Sequence, residues 1–138
     1  MTYYLDANIF IYANNLSEPY FKACSEILKE VSSGKIKAVT STETIQEIIF
    51  YSQKFSTIDF GVLISQKVLE IVPEIISIDL DTIHHYLELV SLYPKLDSRD
   101  NLHVAACLKN GLTTIISADA GFDKIKEIKR IDPKDFIS

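Results

Sequence analysis

Apolar side chains recur at three- and four-residue spacing along most of the chain. Phe21, Cys24, Ile27, Leu28 and Val31 share one stripe between residues 18 and 33, with Gly34 just past its end. That stretch is an amphipathic helix whose apolar face packs into a core. Residues 97–111 repeat the design: Asp97 or Ser98 caps the start, Leu102, Ala105, Ala106 and Leu108 form the stripe, and Gly111 stops the helix near Asn110. The run that follows, residues 112–117, is short and rich in Thr and Ile, the pattern of a strand covered on both faces. Strands are also expected at residues 3–5, 36–39 and 75–78, with an edge strand at 130–132 before Pro133. Between them lie a short helix from Ile9 to Ala13, one that starts at a Thr40-x-x-Glu43 capping box, one over residues 58–72 ended by Pro73, and one over 79–92 ended before Pro94. The order is β-α-α-β-α-α-β-α-α-β-β. It predicts an α/β protein, a three-layer α/β/α sandwich around a mostly parallel sheet of four to five strands, with the first strand central under right-handed crossovers.

Composition narrows this picture only a little. The chain has 138 residues, is 47% hydrophobic and contains four Gly and four Pro, so residues 1–138 fit a single domain with a sizeable core. No apolar run approaches the roughly 20 residues of a membrane span and no basic, signal-like start precedes the first strand. A soluble, cytoplasmic protein without membrane attachment is expected. Cys24 and Cys107 fall in separate helices without Cys or His at ligand spacing, which reads as buried, reduced thiols. Charge matters more. Fourteen Lys and Arg against 19 Asp and Glu give a net charge of -5, the wrong sign for holding a nucleic acid by bulk electrostatics. Cations bound to clustered carboxylates would have to help. The late Lys124, Lys126, Lys129, Arg130 and Lys134 are locally basic, and read first as a solvated face.

Four acids stand out by position. Asp6 ends the first strand and Asp119 falls just past the fourth, where open parallel sheets bind ligands. Asp100 opens the helix before that strand, and Glu47 sits mid-helix, one turn after Glu43, where no helix terminus rewards a carboxylate. Each also has an ordinary reading: Asp6 as an N-cap, Asp100 as a complement to the helix dipole, Asp119 as a turn residue, Glu47 as an exposed acid. Asn8 supports the same turn or orients Asp6. His84 and His85 are adjacent and share no helix face, so both are solvent or boundary residues. His103 is expected to pack or to give a supporting hydrogen bond. Apolar residues between Ile48 and Val72 exceed one helical stripe, which suggests a surface for another subunit.

Taken together, Leu5-Asp6-Ala7-Asn8, Glu47, Arg99-Asp100-Asn101-Leu102-His103-Val104-Ala105, and Ser117-Ala118-Asp119 followed by Phe122 resemble the PIN-domain nucleases. The likeness covers nearly the whole chain, and within the family it is most similar to small single-domain VapC-type toxins. Asn8 and Ser117 stand where Thr or Ser is usual in each case, and Asn101 replaces a smaller residue. The resemblance implies a PIN-like fold and an endoribonuclease in which Asp6, Glu47, Asp100 and Asp119 gather around one or two Mg²⁺ or Mn²⁺ ions. It implies Asp6 and Asp100 as direct ligands, Asp119 as a ligand or an orienter of water, and Glu47 in an acid–base or second-metal role. Asp97, Asp123, Asn8 and Ser117 are further candidates. An antitoxin protein, an RNA substrate and a homodimer are the implied partners. Two other readings remain open: a catalytically silent PIN-fold binding module, and a Mg-dependent phosphotransfer domain of the receiver kind, whose mid-chain phosphoacceptor strand and late Lys are not visible.

Overall fold

A computed structural model describes residues 1–137. Five strands, β1 (Thr2–Leu5), β2 (Lys37–Ser41), β3 (Glu74–Ile76), β4 (Thr114–Ile116) and β5 (Lys129–Ile131), form one sheet in the order β3-β2-β1-β4-β5. Every pairing is parallel. Helices α1 (Ala7–Tyr12), α2 (Phe21–Ser32), α3 (Thr42–Phe55), α4 (Ile58–Ile71), α5 (Leu80–Leu92), α6 (Ser98–Lys109) and α7 (Pro133–Ile137) complete it, with a 3-10 turn at Ala120–Lys124. The expected α/β/α sandwich, its parallel sheet and its central first strand are all present.

Alternation along the strands explains the layers. Leu5, Ala38 and Ile116 face one buried cluster with Phe10, Ile27, Ile48 and Val68, whereas Tyr4, Val39 and Ile115 face another with Leu89, Ala105 and Phe122. Adjacent strand residues point to opposite faces, so a sheet covered on both sides has two cores. Cys24 and Cys107 are buried and free, one in each core. Among the described residues no helix is long and apolar enough to cross a membrane.

Helix starts follow the sequence closely at α5 and α6, where Asp79 and Asp97 accept bonds from Thr82 and Arg99 N–H at 2.9 and 2.8 Å. Gly111 follows α6 with φ 71°. The capping box at Thr40 is not formed. β2 runs on to Ser41, and Thr40 lies within the strand, its hydroxyl donating to the Leu5 carbonyl at 2.8 Å and bonded to Thr44 at 2.7 Å. Ser41 is the N-cap of α3 without a capping bond, because its hydroxyl is committed to Tyr4. α7 is an addition to the expected order; Pro133 opens it, a position where a missing N–H costs nothing.

α3 and α4 pack as a hairpin. A Cβ on Gly61 would come within 2.7 Å of Ser52 Oγ and 2.8 Å of Ser52 Cβ, so the two helices approach at this glycine. Phe50, Phe55, Ile58, Val62, Leu63 and Leu69 remain exposed on the pair.

Candidate active site

The carboxyl ends of β1 and β4 are neighbours, in register from Leu5 to Ile116, so Asp6 and Ser117 leave the sheet side by side. Asp6 is 4% exposed. Its Oδ1 accepts from Ala7 N–H at 2.8 Å, which confirms the capping use, while Oδ2 accepts from Ser117 Oγ at 2.6 Å and Asn8 Nδ2 at 3.2 Å. Asn8 also donates to Ser117 Oγ at 3.2 Å. Both roles therefore coexist: the carboxylate caps α1 and is clamped at the sheet edge by Asn8, 2 residues on, and Ser117, 111 residues on. Burial raises its pKa; the His103 charge opposes that rise and Glu47 adds to it.

Glu47 reaches the same point from α3. Its Oε1 meets His103 Nε2 at 2.9 Å, and that nitrogen lies 3.5 Å from Asp6 Oδ1. On its other side His103 Nδ1 is 2.5 Å from the Tyr4 hydroxyl, which is 2.6 Å from Ser41 Oγ. His103 is completely buried. Burial alone would lower its pKa, but the hydrogen bond to Glu47 and the charges of Asp6, Glu47 and Asp100 outweigh it and lift the value to about 9. The raised pKa favours the imidazolium, which would donate from Nε2 to Glu47 and from Nδ1 to Tyr4. The expected supporting hydrogen bond is present, and the residue supplies a buried positive charge as well.

Asp100 and Asp119 form a second wall of the cleft. Asp100 sits in the first turn of α6, and Asp119 caps the 3-10 turn by accepting from Gly121 N–H at 2.8 Å. A Cβ on Gly121 would fall 3.0 Å from Asp119 Oδ1 and 3.5 Å from Asp100 Oδ2, so one small space separates both acids from the backbone. Desolvation, a hydrogen bond to Asp119 and the charge of Asp119 together push the Asp100 pKa up to about 9. All four sequence-predicted acids line one cleft of about 380 Å³ with Asn8 and Asp97. Asp97 is at the rim, tied to Arg99 at 3.0 Å. Asp123 is drawn away: Arg130 binds its two oxygens at 2.9 and 3.1 Å.

Arg130 corrects the reading of the late basic segment. Lys124, Lys126, Lys129 and Lys134 are exposed, but the Arg130 side chain is only 14% exposed and donates to the Ser117 carbonyl at 2.9 Å as well as to Asp123. It fixes the backbone of the residue that clamps Asp6. Tyr4 and Ser41 were likewise unmarked; the one available signal was a Tyr in a fully buried strand, whose hydroxyl must find a partner. His84 and His85 are exposed, as expected.

The donor set suits a hard divalent cation. Single atoms of Asp6, Glu47 and His103 lie within 4.8 Å of one another, and the carboxylate oxygens among them are the donors that a hard divalent cation takes. Crowded carboxylates and a raised Asp100 are the electrostatic conditions that a cation relieves.

Acids gathered at the carboxyl edge of a parallel α/β/α sheet define the class of fold and site, and comparison with known proteins names it. The chain belongs to the PIN domain family, which it matches over residues 3–128. This displaces the receiver-like alternative. The VapC ribonuclease Mb1869c of Mycobacterium bovis is 28% identical over 127 residues, spanning 92% of this chain and 97% of the relative. Ribonuclease VapC23 of Mycobacterium tuberculosis is 29% identical over 119 residues, spanning 84% and 91%. The crystal structure of VapBC2 from Rickettsia felis, bound to a DNA fragment from its promoter, shares the fold with a TM-score of 0.74 at 18% identity, over 95% of this chain and 98% of that one.

Proposed function

We propose that the protein is a divalent-cation-dependent endoribonuclease, the toxin member of a toxin–antitoxin pair, in which Asp6, Glu47, Asp100 and Asp119 hold Mg²⁺ or Mn²⁺ and carry out phosphodiester hydrolysis. The observation that carries this reading is the convergence of four acids from β1, α3, α6 and the end of β4 on one cleft, two of them with raised pKa. Structural duties alone do not account for it, since Asp6 could cap α1 without burial beside Glu47. The ribonuclease names of the relatives support the substrate class, and the VapBC complex among the structural neighbours supports an antitoxin as partner.

Asp6 and Asp100, which line the same cleft, are the residues that would hold the cation, with Asp119 beside Asp100. A cation bound there supplies charge neutralisation at the phosphate and a more acidic water. The chain's own groups do the rest. Ser117, Asn8 and the Ala7 N–H keep Asp6 in one orientation. His103 Nε2 meets Glu47 Oε1 at 2.9 Å and fixes that carboxylate at the cleft, and Glu47 would serve there as the general base for water. Burial and the neighbouring Asp119 raise the Asp100 pKa, and a cation held there would favour its ionised, ligating form. Ile58, Val62, Leu63 and Leu69, exposed on α4, provide the surface for a homodimer partner or an inhibitor.

Purified protein with RNA in Mn²⁺, in Mg²⁺ and in excess chelator tests the reading. Cutting is expected only with metal, and Asp6→Asn or Asp100→Asn should reduce it more than about a hundredfold. Undiminished cutting in chelator, or wild-type rates in both variants, rejects it.

A further inference from the structure

The cleft does not stop at the carboxylates. Phe50, Tyr51, Lys54 and Phe55 extend it along the outer face of α3, and Arg99 borders it from α6. A second cleft, reaching Glu43, Gln46 and Ser98, meets it here; Glu47, Phe50, Lys54 and Arg99 line both. Phe50 thus stands on the ridge between two depressions that both lead to Glu47, with 45% of its surface exposed. Two cations attend the ring. Lys54 Nζ lies 5.0 Å and Arg99 Cζ 5.5 Å from its centroid. Arg99 is held in place by Asp97, whereas Lys54 has no carboxylate within ion-pair distance among the described residues.

An exposed ring beside a cation that has no carboxylate partner adds little to folding stability, because both are open to solvent. It has the makings of a recognition element. The chain carries a net charge of -5 and concentrates acids at the bottom of this cleft, so a polyanion reaching them needs positive charge at the mouth. Lys54 and Arg99 supply it. A flat aromatic face flanked by cations holds an unpaired base by stacking and its phosphates by charge, and it accepts any base because every base has a π face. A duplex buries its base faces and offers nothing to stack. An apolar protein contact would be served by the ring alone and would pay to desolvate the unpaired lysine, so the flanking charges favour the nucleic acid.

We propose that Phe50, between Lys54 and Arg99, is a stacking subsite for an unpaired nucleobase of single-stranded RNA next to the phosphate that is cut. This rests on the ribonuclease reading of the acidic cluster, which it deepens by assigning a place to the flanking nucleotide.

The chain contains no tryptophan, so Phe50→Trp installs a single fluorescent reporter on the ridge. With Asp100→Asn as the parent, to prevent cutting, the probes are a fluorescein-labelled single-stranded RNA decamer of randomised sequence and a blunt RNA duplex of equal length. The single strand should quench the tryptophan strongly and the duplex hardly at all. By anisotropy, Phe50→Ala should weaken decamer binding by about 5- to 100-fold, the range for losing one stacked base, and Lys54→Gln should weaken it by a smaller factor with a shallower salt dependence. The proposal is overturned if the decamer binds without changing the tryptophan emission, if Phe50→Ala and Lys54→Gln bind as tightly as the parent, or if the parent binds no decamer. Binding unchanged by Phe50→Ala, together with loss of a co-expressed antitoxin, would mark the ring as a protein contact instead. The two readings fail separately. Wild-type protein that leaves RNA uncut in Mn²⁺ while the tryptophan is quenched sinks the nuclease, and a cutting protein whose tryptophan ignores RNA sinks the subsite.

Discussion

The two walls of the acidic cleft solve the same electrostatic problem differently. On one wall Asp6 and Glu47 share the buried imidazolium of His103, which lies 3.5 Å and 2.9 Å from them and is anchored through Tyr4 to Ser41. On the other, Asp100 and Asp119 are neighbours, and burial together with the Asp119 carboxylate pushes the Asp100 pKa up to about 9. The first wall is preorganised by an internal positive charge. The second favours a proton until an external charge replaces it. Crowded acids therefore do not form one uniform patch: the His103 charge opposes the rise at Asp6, whereas at Asp100 burial and the neighbouring acids all add to it.

Removing the internal cation should have the largest effect. His103→Ala leaves Tyr4, Glu47 and Asp6 without their central partner, and loss of one member of a buried charged set costs about 3–5 kcal/mol. Thermal melts in chelator at pH 7 measure this, and a melting temperature close to wild type would break the contrast between the walls. Next in size is the opposite change. Asp100→Asn keeps a hydrogen-bond donor beside Asp119 and removes the need for a proton, so it should stabilise the chelated protein by on the order of 1–3 kcal/mol. The same variant should forfeit most of the gain from Mn²⁺, which for wild type at a hundredfold excess over its dissociation constant is about 2.7 kcal/mol. Equal metal shifts in variant and wild type would deny Asp100 its part in the site.

The pH dependence sharpens the comparison further. Asp100 moves from its usual 3.8 to about 9 and His103 from 6.5 to about 9, so the folded state binds more protons than the unfolded one. Stability from Asp100 is complete below pH 3.8 and that from His103 below 6.5; both are lost as pH rises through about 9. Chelated wild type should therefore lose stability steadily between pH 6.5 and 9, Asp100→Asn should keep only the His103 share of that loss, and Mn²⁺ should flatten the wild-type curve. Denaturant titrations across the interval read it directly, and a rise over the same interval would reverse the sign of the argument. The smallest effect is expected on assembly: Leu63→Glu on the exposed face of α4 should lower the mass seen by light scattering at micromolar concentration while leaving cleavage intact. A monomer in both proteins would remove the dimer.

Much of this was legible in the sequence because each helix carries its own stripe and right-handed crossovers leave few ways to order the strands. Asp6, Glu47, Asp100 and Asp119 were legible for the same reason, as strand ends and helix turns that one sheet edge gathers. What was hidden depends on distant partners. Thr40 and Glu43 have capping-box spacing, yet Thr40 is inside a strand and its hydroxyl bonds to the Leu5 carbonyl, 35 residues away. His103 meets Glu47 and Tyr4 across 56 and 99 residues, so local spacing could suggest a hydrogen bond but not a buried cation. Arg130 looked like one more surface charge. Only the return of β5 beside β4 shows that it grips Ser117.

The pairing of β1 with β4 has a consequence for when the site can exist. Thr2–Leu5 finds two of its last neighbours at Ile115 and Ile116, so closing the loop between them is among the most non-local steps in the fold. Until the strand ending at Ile116 has been synthesised and docked, Asp6 lacks its Ser117 clamp and Asp119 has no wall to join. A growing chain on the ribosome would therefore carry no assembled cleft until β4 and the segment to Asp119 have emerged.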